Sequence, residues 1–377
     1  IAKRRSPKSA SCSASKVKRL AGAIVALILV LGVPGAGTRA AESGDAMAAL
    51  ITAAKAEGSV VVDGPPNDAV RVALSEGFQQ KYGIPVSYIS SGSGPSGARV
   101  RAERAAGKYL LDVFVSGSDT PLLTFLPSGW LDRIEPALIA PDVVDPRKWL
   151  DGHLWYADDQ HTILRVILMR SPELAINTKL VKPSEVSTWQ NLLDPKWQGK
   201  IIAKDPSIPG AGAVLTVYFY MNFGPDFVRK LYKDQKPLIS RDPRQMVQWL
   251  AQGTAPILVG PDFVTLASFQ KLGYPVTAIF PQGPEMLTGG WGLVSLVNRA
   301  PHPNAAKLFV NWLASKAGQD SFANASIEVS LRTDVTYHDI PPYLFPQKNH
   351  KYVDLYDAKF VSDRDAALEK ARALLDL

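Results

Sequence analysis

Three short apolar runs alternate with two helical patterns between residues 59 and 117. The runs read SVVVDG, IPVSYI and LLDVFVSG, and the helical patterns between them read DAVRVALSEGFQQKYG and ARVRAERAAG. Asp68 is the expected N-cap of the first helix, and Gly83 is its expected end. Strands that alternate with helices at this spacing form a parallel sheet with helical crossovers. The sequence therefore predicts an α/β fold.

Two further β-like segments, at 161–169 and 291–297, enclose a middle block rich in proline, glycine and aromatic residues. A chain that leaves one domain and later returns to it produces a discontinuous first domain and a continuous second one. The prediction is two α/β lobes, with lobe one formed by residues 41–160 and 291–377 and lobe two by residues 161–290. After the second segment, NAAKLFVNWLASKAG predicts one amphipathic helix. Its apolar face carries Ala306, Phe309, Val310 and Leu313.

The first forty residues predict an export signal. They carry eight basic and no acidic residues around a 14-residue apolar stretch at 20–33, with small residues Thr38 and Ala40 before the expected cleavage site. A retained membrane anchor is the alternative, although a spanning helix needs roughly 20 apolar residues. Removing eight of the 42 basic residues leaves 34 against 35 acidic ones, a net charge of −1. We therefore expect a soluble periplasmic monomer that begins near Ala41, lacks the only cysteine, Cys12, and does not bind nucleic acid.

The stretch SSGSGPSGARVRAE follows the second strand and spells G-x-G-x-x-G at Gly92, Gly94 and Gly97. It predicts a turn before a helix. One interpretation is a dinucleotide site, where glycines let the backbone approach a pyrophosphate at a helix N-terminus. That fingerprint usually follows the first strand of its domain, and Asp112, at the right distance for a ribose ligand, begins a strand instead of ending one. Smaller anions such as carboxylates and phosphonates use the same backbone groups.

Two more loops of glycine and serine, VSGSDT at 115–120 and PSIPGAGA at 206–213, favour a ligand held in a cleft over a single isolated turn. In this interpretation Asp262 accepts a hydrogen bond from the amine of a zwitterionic ligand, and Trp291 forms an apolar wall. The predicted ligand-binding residues are Ser91, Gly92, Ser93, Ser116, Ser118, Ser207, Gly210, Gly212, Asp262 and Trp291.

Motifs for nucleophilic or zinc chemistry are missing from the sequence, which has no G-x-S-x-G, H-E-x-x-H or G-K-[ST]. The segment DDQH brings Asp158 and Asp159 close to His161 in sequence, which suits either a hard metal ion or a polar loop. Tyr218 and Tyr220 lie in a segment that we interpret as a helix, with both side chains mostly in the core.

Four stretches resemble the periplasmic solute-binding proteins of ABC importers, of the ferric-iron type. They are ARVRAERAAGKYLLDVFVSGSD, AINTKLV, STWQNLLDPKWQGKI and APHPNAAKLFVNWLASKAGQ, and the last two are specific to that group. The resemblance implies a type 2 periplasmic-binding-protein fold, with two α/β lobes joined by two crossing strands. It also implies a protein without catalytic residues or cofactor that delivers a solute to an ABC permease.

One departure from the ferric-iron pattern concerns the ligand. Members that bind iron resemble each other in an adjacent tyrosine pair shortly after a strand like APILVG, and here the segment reads GPDFV, at 260–264. The expected ligand is therefore a small polar or anionic solute. Ferric iron held by Asp158, Asp159, His161 and Tyr218 or Tyr220 is the alternative ligand. An exported NAD(P)-dependent oxidoreductase that uses Gly92 to Gly97 is the alternative of another class.

Overall fold

The computed structural model describes residues 36–171, 173–207, 210–348, 350–356 and 358–376. The apolar stretch of the expected export signal, with Cys12, lies outside them, whereas Thr38 and Ala40 lie in the first helix. Cleavage after Ala40 therefore stays a prediction. Within the described ranges no helix has both the length and the apolar composition that crossing a membrane requires.

Eleven α-helices and fifteen strands are described, together with short 3₁₀ and π segments. The helices are α1 (Ala36–Glu57), α2 (Asp68–Tyr82), α3 (Ser93–Ala105), α4 (Pro141–Val144), α5 (Ala211–Phe223), α6 (Pro225–Arg229), α7 (Pro243–Gln252), α8 (Phe263–Lys271), α9 (Pro303–Ala314), α10 (Lys316–Ser326) and α11 (Ala358–Leu375). The strands are β1 (Val60–Gly64), β2 (Val86–Ser90), β3 (Val113–Ser116), β4 (Leu131–Asp132), β5 (Trp155–Tyr156), β6 (Ile163–Arg165), β7 (Met169–Arg170), β8 (Leu174–Asn177), β9 (Ile201–Lys204), β10 (Leu238–Ser240), β11 (Ile257–Val259), β12 (Val276–Ile279), β13 (Glu285–Thr288), β14 (Leu293–Val297) and β15 (Tyr352–Asp354).

The first sheet has the strand order β2-β1-β3-β14-β6-β5, with β4 paired to β14. Strands β1, β2 and β3 are parallel, as the alternation of strands and helices predicts, and β14 runs antiparallel to β3. The predicted amphipathic face of α9 is buried against this lobe, with Ala306, Phe309, Val310 and Leu313 at most 2% exposed. Apolar burial of this face is the main force that holds α9 on the sheet.

The second sheet has the order β10-β9-β11-β8-β12, in which β9, β10 and β11 are parallel. A third sheet, β15-β13-β7, lies where the chain passes between the first two. The passage occurs twice, from β6 to β7 and from β13 to β14, so the α/β fold with two lobes and two crossings is confirmed. The lobe boundaries at residues 161 and 291 stay a prediction, since β6 pairs within the first sheet and α11 packs on α5.

Two local expectations are wrong. Asn67 caps α2 in place of Asp68: its Oδ1 accepts hydrogen bonds from the backbone N–H groups of Ala69 (2.9 Å) and Val70 (3.2 Å), and Asp68 is already helical. Gly83 does end this helix, in the left-handed conformation. The segment expected to form one closing helix is two, because Ser315 ends α9 and caps α10 through its hydroxyl.

Asn67→Ala is expected to lower the free energy of unfolding by about 1 kcal/mol, because the first N–H groups of α2 lose their acceptor. Asp68→Ala is the matched control, and it should change the stability less, since the Asp68 side chain does not cap the helix. Urea denaturation of the two variants measures both effects. A larger loss in Asp68→Ala than in Asn67→Ala would contradict the assignment of the cap.

Candidate functional site

A cavity of about 920 Å³ lies between the two sheets. Lobe one contributes the first turns of α3 and the loop after β3, and lobe two contributes the ends of β9 and β11 with the start of α5. The crossings contribute Met169, Met286 and Trp291, and α11 closes one side. A volume of this size suits a small organic solute.

The N-terminus of α3 forms one wall of the cavity. Gly92 is the N-cap, in an extended conformation with φ −78°, and no side chain in the described region caps the helix. The expected turn is therefore wrong, because the glycine run is itself the first turn of α3. The N–H groups of Ser93 and Gly94 have no intrahelical partner, and Pro95 has no N–H. Gly97 must be small for packing, since a Cβ there would lie 3.2 Å from the Thr120 side chain.

The N-terminus of α5 forms the opposite wall, from lobe two. Its N-cap is Gly210, whose φ of 137° strongly favours glycine, and no described side chain caps this helix either. Gly210, Ala211 and Ala213 line the cavity. The first N–H groups of a helix carry partial positive charge, so this wall attracts an anion.

Lys204 ends strand β9 beside this second helix N-terminus and lines the cavity. Its stem packs between two glycines: a Cβ on Gly212 would lie 3.2 Å from Lys204 Cβ, and one on Gly260 would lie 3.4 Å from Lys204 Cδ. Burial lowers the pKa of Lys204, and the charge of Asp262 opposes that shift. No carboxylate of the described residues lies within ion-pair distance of its ammonium, which leaves it available to a ligand.

Two buried carboxyl groups lie on the floor of the cavity. Glu173 is 2% exposed and Glu328 is fully buried. Burial raises the pKa of Glu328 to about 8, although the backbone N–H of Trp291 donates a hydrogen bond to its Oε1 at 2.9 Å. Burial, and then the nearby Glu285, raise the pKa of Glu173 well above its ordinary value. Glu328 therefore holds a proton at neutral pH and can donate a hydrogen bond to a ligand, and burial disfavours the charged form of Glu173 as well.

Two further acidic groups along the cavity, Asp262 and Asp119, have partners in the protein. Asp262 caps α8 by accepting hydrogen bonds from the backbone N–H and the hydroxyl of Thr265, at 2.9 and 2.7 Å. Asp119, after β3, accepts a hydrogen bond from Nη1 of Arg364 on α11 at 2.8 Å, and Arg364 is only 4% exposed. Since α11 packs on α5, this ion pair connects the two lobes across the cavity.

Half of the predicted ligand-binding residues line the cavity, namely Gly92, Ser118, Gly210, Asp262 and Trp291. Ser91, Ser116, Ser207 and Gly212 are not part of its lining, and the side chain of Ser93 lies outside the part of the chain that the structure describes. Ser116 is buried and its hydroxyl donates to the carbonyl of Gly117, and the Ser207 hydroxyl donates to Asp205. Gly212 packs against the backbone, where a Cβ would lie 2.2 Å from the Asp205 carbonyl oxygen.

The residues of the alternative ferric site do not meet at this cavity. Asp158 accepts hydrogen bonds from the N–H groups of its own loop, and His161 stacks on Tyr156, with Nδ1 3.1 Å from a Glu135 carboxylate oxygen. The Tyr218 hydroxyl donates to the carbonyl of Pro284, and burial raises its pKa. Asp159 and Tyr220 do not line the cavity. The described residues contain no group of three or more His, Cys, Asp or Glu suited to a metal ion.

Apart from Asp262, sequence reasoning missed the charged residues of the cavity. Lys204 had one usable feature, because it directly follows an apolar run that ends at the carboxyl edge of a parallel strand. Glu173, Glu328 and Arg364 had none, since the surroundings of each are formed by residues from distant parts of the sequence.

The sequence profile of the bacterial extracellular solute-binding proteins matches residues 40–320. An uncharacterised protein of Haemophilus influenzae is 25% identical over 336 residues, which cover 87% of this chain and 92% of that protein. The fold is similar to the periplasmic binding protein AfuA of Actinobacillus pleuropneumoniae, solved with fructose 6-phosphate, with a TM-score of 0.67, 21% identity, and 85% and 99% of the two chains covered. It is also similar to iron-bound HitA of Pseudomonas aeruginosa, with a TM-score of 0.66, 17% identity, and 83% and 99% covered.

Proposed function

The chain belongs to the bacterial extracellular solute-binding proteins, and we propose that it captures a small hydroxylated organic anion in the cavity and delivers it to an ABC permease. The anionic group is a phosphate or a carboxylate. In this function the protein catalyses no reaction and needs no cofactor.

The observation that carries the proposal is the meeting of two uncapped helix N-termini from opposite lobes with an unpaired lysine. The first turn of α3 and the first turn of α5 both line the cavity, and Lys204 lies beside the latter. Helix N-termini bind phosphate and carboxylate through backbone N–H groups, and an ammonium ion adds a charge-assisted hydrogen bond. The α8 N-terminus does not take part in the same way, because Asp262 already caps it.

We infer that the ligand carries hydroxyl groups because the floor of the cavity contains buried carboxyl groups. Glu173 Oε1 and Glu328 Oε2 are buried there without a hydrogen-bond partner among the described residues, and a purely apolar anion would leave them so. AfuA, the similar protein solved with fructose 6-phosphate, holds a ligand with this combination of phosphate and hydroxyl groups.

Iron is less well supported than an organic anion. Tyr356 is the one tyrosine among the described residues that line the cavity, and its hydroxyl donates to the Gly290 carbonyl oxygen at 2.7 Å. Burial raises its pKa, whereas a ferric ligand must be a phenolate. A dinucleotide site is also less well supported, since Asp112, the candidate ribose ligand, is buried and accepts hydrogen bonds from the backbone N–H groups of Val61 and His302.

In the proposed transport function, both lobes contact the same ligand, so binding changes the arrangement of the lobes. A ligand that binds α3 and α5 together favours the closed arrangement over the open one, because only the closed arrangement provides both sets of N–H groups. Small-angle scattering should therefore give a smaller radius of gyration when the ligand is bound.

Gly94→Val tests the proposal at the α3 wall of the cavity. A Cβ at Gly94 meets no atom within 4 Å, so the valine fits the chain but fills the part of the cavity that an anion would occupy. We expect it to weaken binding of the best ligand by about tenfold or more, as hydrogen bonds to a charged group are lost. Calorimetry against sugar phosphates, hydroxycarboxylates, phosphonates, ferric citrate and NAD measures this.

Gly44→Val is the matched control, because Gly44 is also helical, with open space around its Cβ, but lies outside the cavity. It should leave the affinity unchanged. An organic anion that binds equally well to wild type and Gly94→Val would refute a ligand at α3. Saturable binding of NAD that Gly94→Val abolishes would support the oxidoreductase instead.

A further inference from the structure

A second cavity, of about 470 Å³, lies on lobe one, further along α3 than the cleft. The C-terminal half of α3 forms one side, and the chain before β3 and after β14 forms the other. Its lining includes Arg104, Tyr109, Trp130, Asn298 and Arg299, together with Arg101, which lies between the two cavities and lines both. Because an α-helix rises 1.5 Å per residue, Arg104 lies roughly 15 Å further along α3 than Gly94.

Among the described residues that line it, the second cavity holds three guanidinium groups and no carboxylate. None of the three arginines forms an ion pair with a described residue. Asp132 is near enough to favour the charged form of Arg104, but it makes no ion pair with it. Like charges that gather without counter-charges repel each other, so this cavity attracts an anion.

The guanidinium groups are held in place by neutral partners. Arg104 donates to the side-chain and backbone oxygens of Asn298 at 2.8 and 2.9 Å, and it lies 5.0 Å from the ring centre of Trp130. Arg299 donates to the Tyr109 hydroxyl. Arg104 and Arg299 lie 5.2 and 5.1 Å from the ring centre of the same Tyr109. These contacts fix two cations beside one ring while leaving some of their N–H groups free.

The unusual backbone conformation of Arg299 is a further indication that this arrangement has a function. Its φ is 57°, in the left-handed region that a side chain other than glycine, asparagine or aspartate rarely adopts. Conformations of this kind are costly, and proteins often retain them where a side chain must be placed for binding. Here the strained residue places a third arginine at the cavity, beside Tyr109.

We propose that this arginine cavity is a second anion-binding site, separate from the cleft, which binds a small molecule carrying a phosphate group or several carboxylates. Planar guanidinium groups pair with both kinds of anion through two parallel hydrogen bonds. The volume, half that of the cleft, suits inorganic phosphate or citrate.

Arginine labelling with phenylglyoxal, followed by mass spectrometry, tests the site residue by residue. With inorganic phosphate or citrate at ten times its dissociation constant, labelling of Arg299 should fall about tenfold, because only about one site in eleven stays empty. Exposed Arg244 in lobe two, which has no ion pair and lies outside both cavities, is the control and should label at an unchanged rate.

Two variants separate this site from the cleft. Lys204→Met should weaken the cleft and leave the protection of Arg299 intact. Arg299→Gln should weaken the second site about tenfold, by about 1.4 kcal/mol, and leave the cleft unchanged, whereas Arg244→Gln should alter neither. Equal labelling of Arg299 with and without the anions would overturn the proposal. So would protection of Arg244 to the same degree, or loss of Arg299 protection in Lys204→Met.

Discussion

Lys204→Met is expected to reduce the affinity of the cleft for its anionic solute by about 10- to 100-fold. A hydrogen bond to a charged group contributes about 1.5–3 kcal/mol, and about 1.4 kcal/mol corresponds to a factor of ten. Methionine keeps the unbranched stem that packs between Gly212 and Gly260, so the substitution removes the charge and little else. The free energy of unfolding should not fall, because a buried ammonium that lacks an ion-pair partner is lost with it.

Lys200→Met provides the matched control for this prediction. Lys200 is exposed, precedes the same strand by one residue and lies outside the cavity. Calorimetry should show the wild-type affinity for this variant and the large loss for Lys204→Met. If both variants bind the anion as wild type does, the ligand does not contact Lys204, and the anionic group must be held elsewhere.

Alternation of strands and helices was sufficient to predict the fold class, because each apolar run must be buried on a sheet. The start of α3 could not be predicted in the same way. Gly92, Gly94 and Pro95 are poor helix formers, so local preference favours a turn at this point. The helix nevertheless begins at Ser93, with Pro95 within its first turn, where a missing N–H costs no intrahelical bond. Packing of Gly97 against Thr120 also favours the helix.

The sequence predicted where the backbone approaches the candidate site, but of its charged side chains it predicted only Asp262. Glycine-rich loops at the ends of strands mark places where a ligand can approach the backbone, and this reasoning found Gly92 and Gly210. The hydrogen-bond and ion-pair partners of charged side chains cannot be predicted from such local sequence patterns. Arg364 meets Asp119 across 245 residues of sequence, and no spacing rule connects them. Which serines line the cavity depends on side-chain directions that only the folded chain determines.

The carboxyl group of Glu328 is expected to make the stability of the protein depend on pH. It is fully buried, and its pKa is raised from the ordinary value of 4.5 to about 8. The unfolded chain therefore releases this proton near pH 4.5, while the folded protein keeps it up to about pH 8. Between these values the folded state binds more protons than the unfolded state, so the free energy of unfolding falls as the pH rises.

Glu328→Gln should remove this contribution, because glutamine has a similar shape and does not ionise. The wild-type free energy of unfolding should fall by at most about 1.4 kcal/mol per pH unit for each such group across the window. Glu173 also has a raised pKa, so the single variant should flatten the curve in part and Glu173→Gln/Glu328→Gln should flatten it further. Glu369→Gln, whose carboxylate at the rim is 76% exposed, is the control and should keep the wild-type slope.

The same ionisation should act on binding, since Glu328 and the bound anion share one cavity. A neutral carboxylic acid can donate a hydrogen bond to the ligand, whereas a carboxylate repels an anion in a place that water screens poorly. The affinity of wild type for the anion should therefore decrease above about pH 8, the raised pKa of Glu328, and Glu328→Gln should show a smaller decrease. Calorimetry across this pH range measures it. An equal decrease in both proteins would assign the effect to another group, for which Lys204 is the first to examine, because loss of its proton also weakens an anion site.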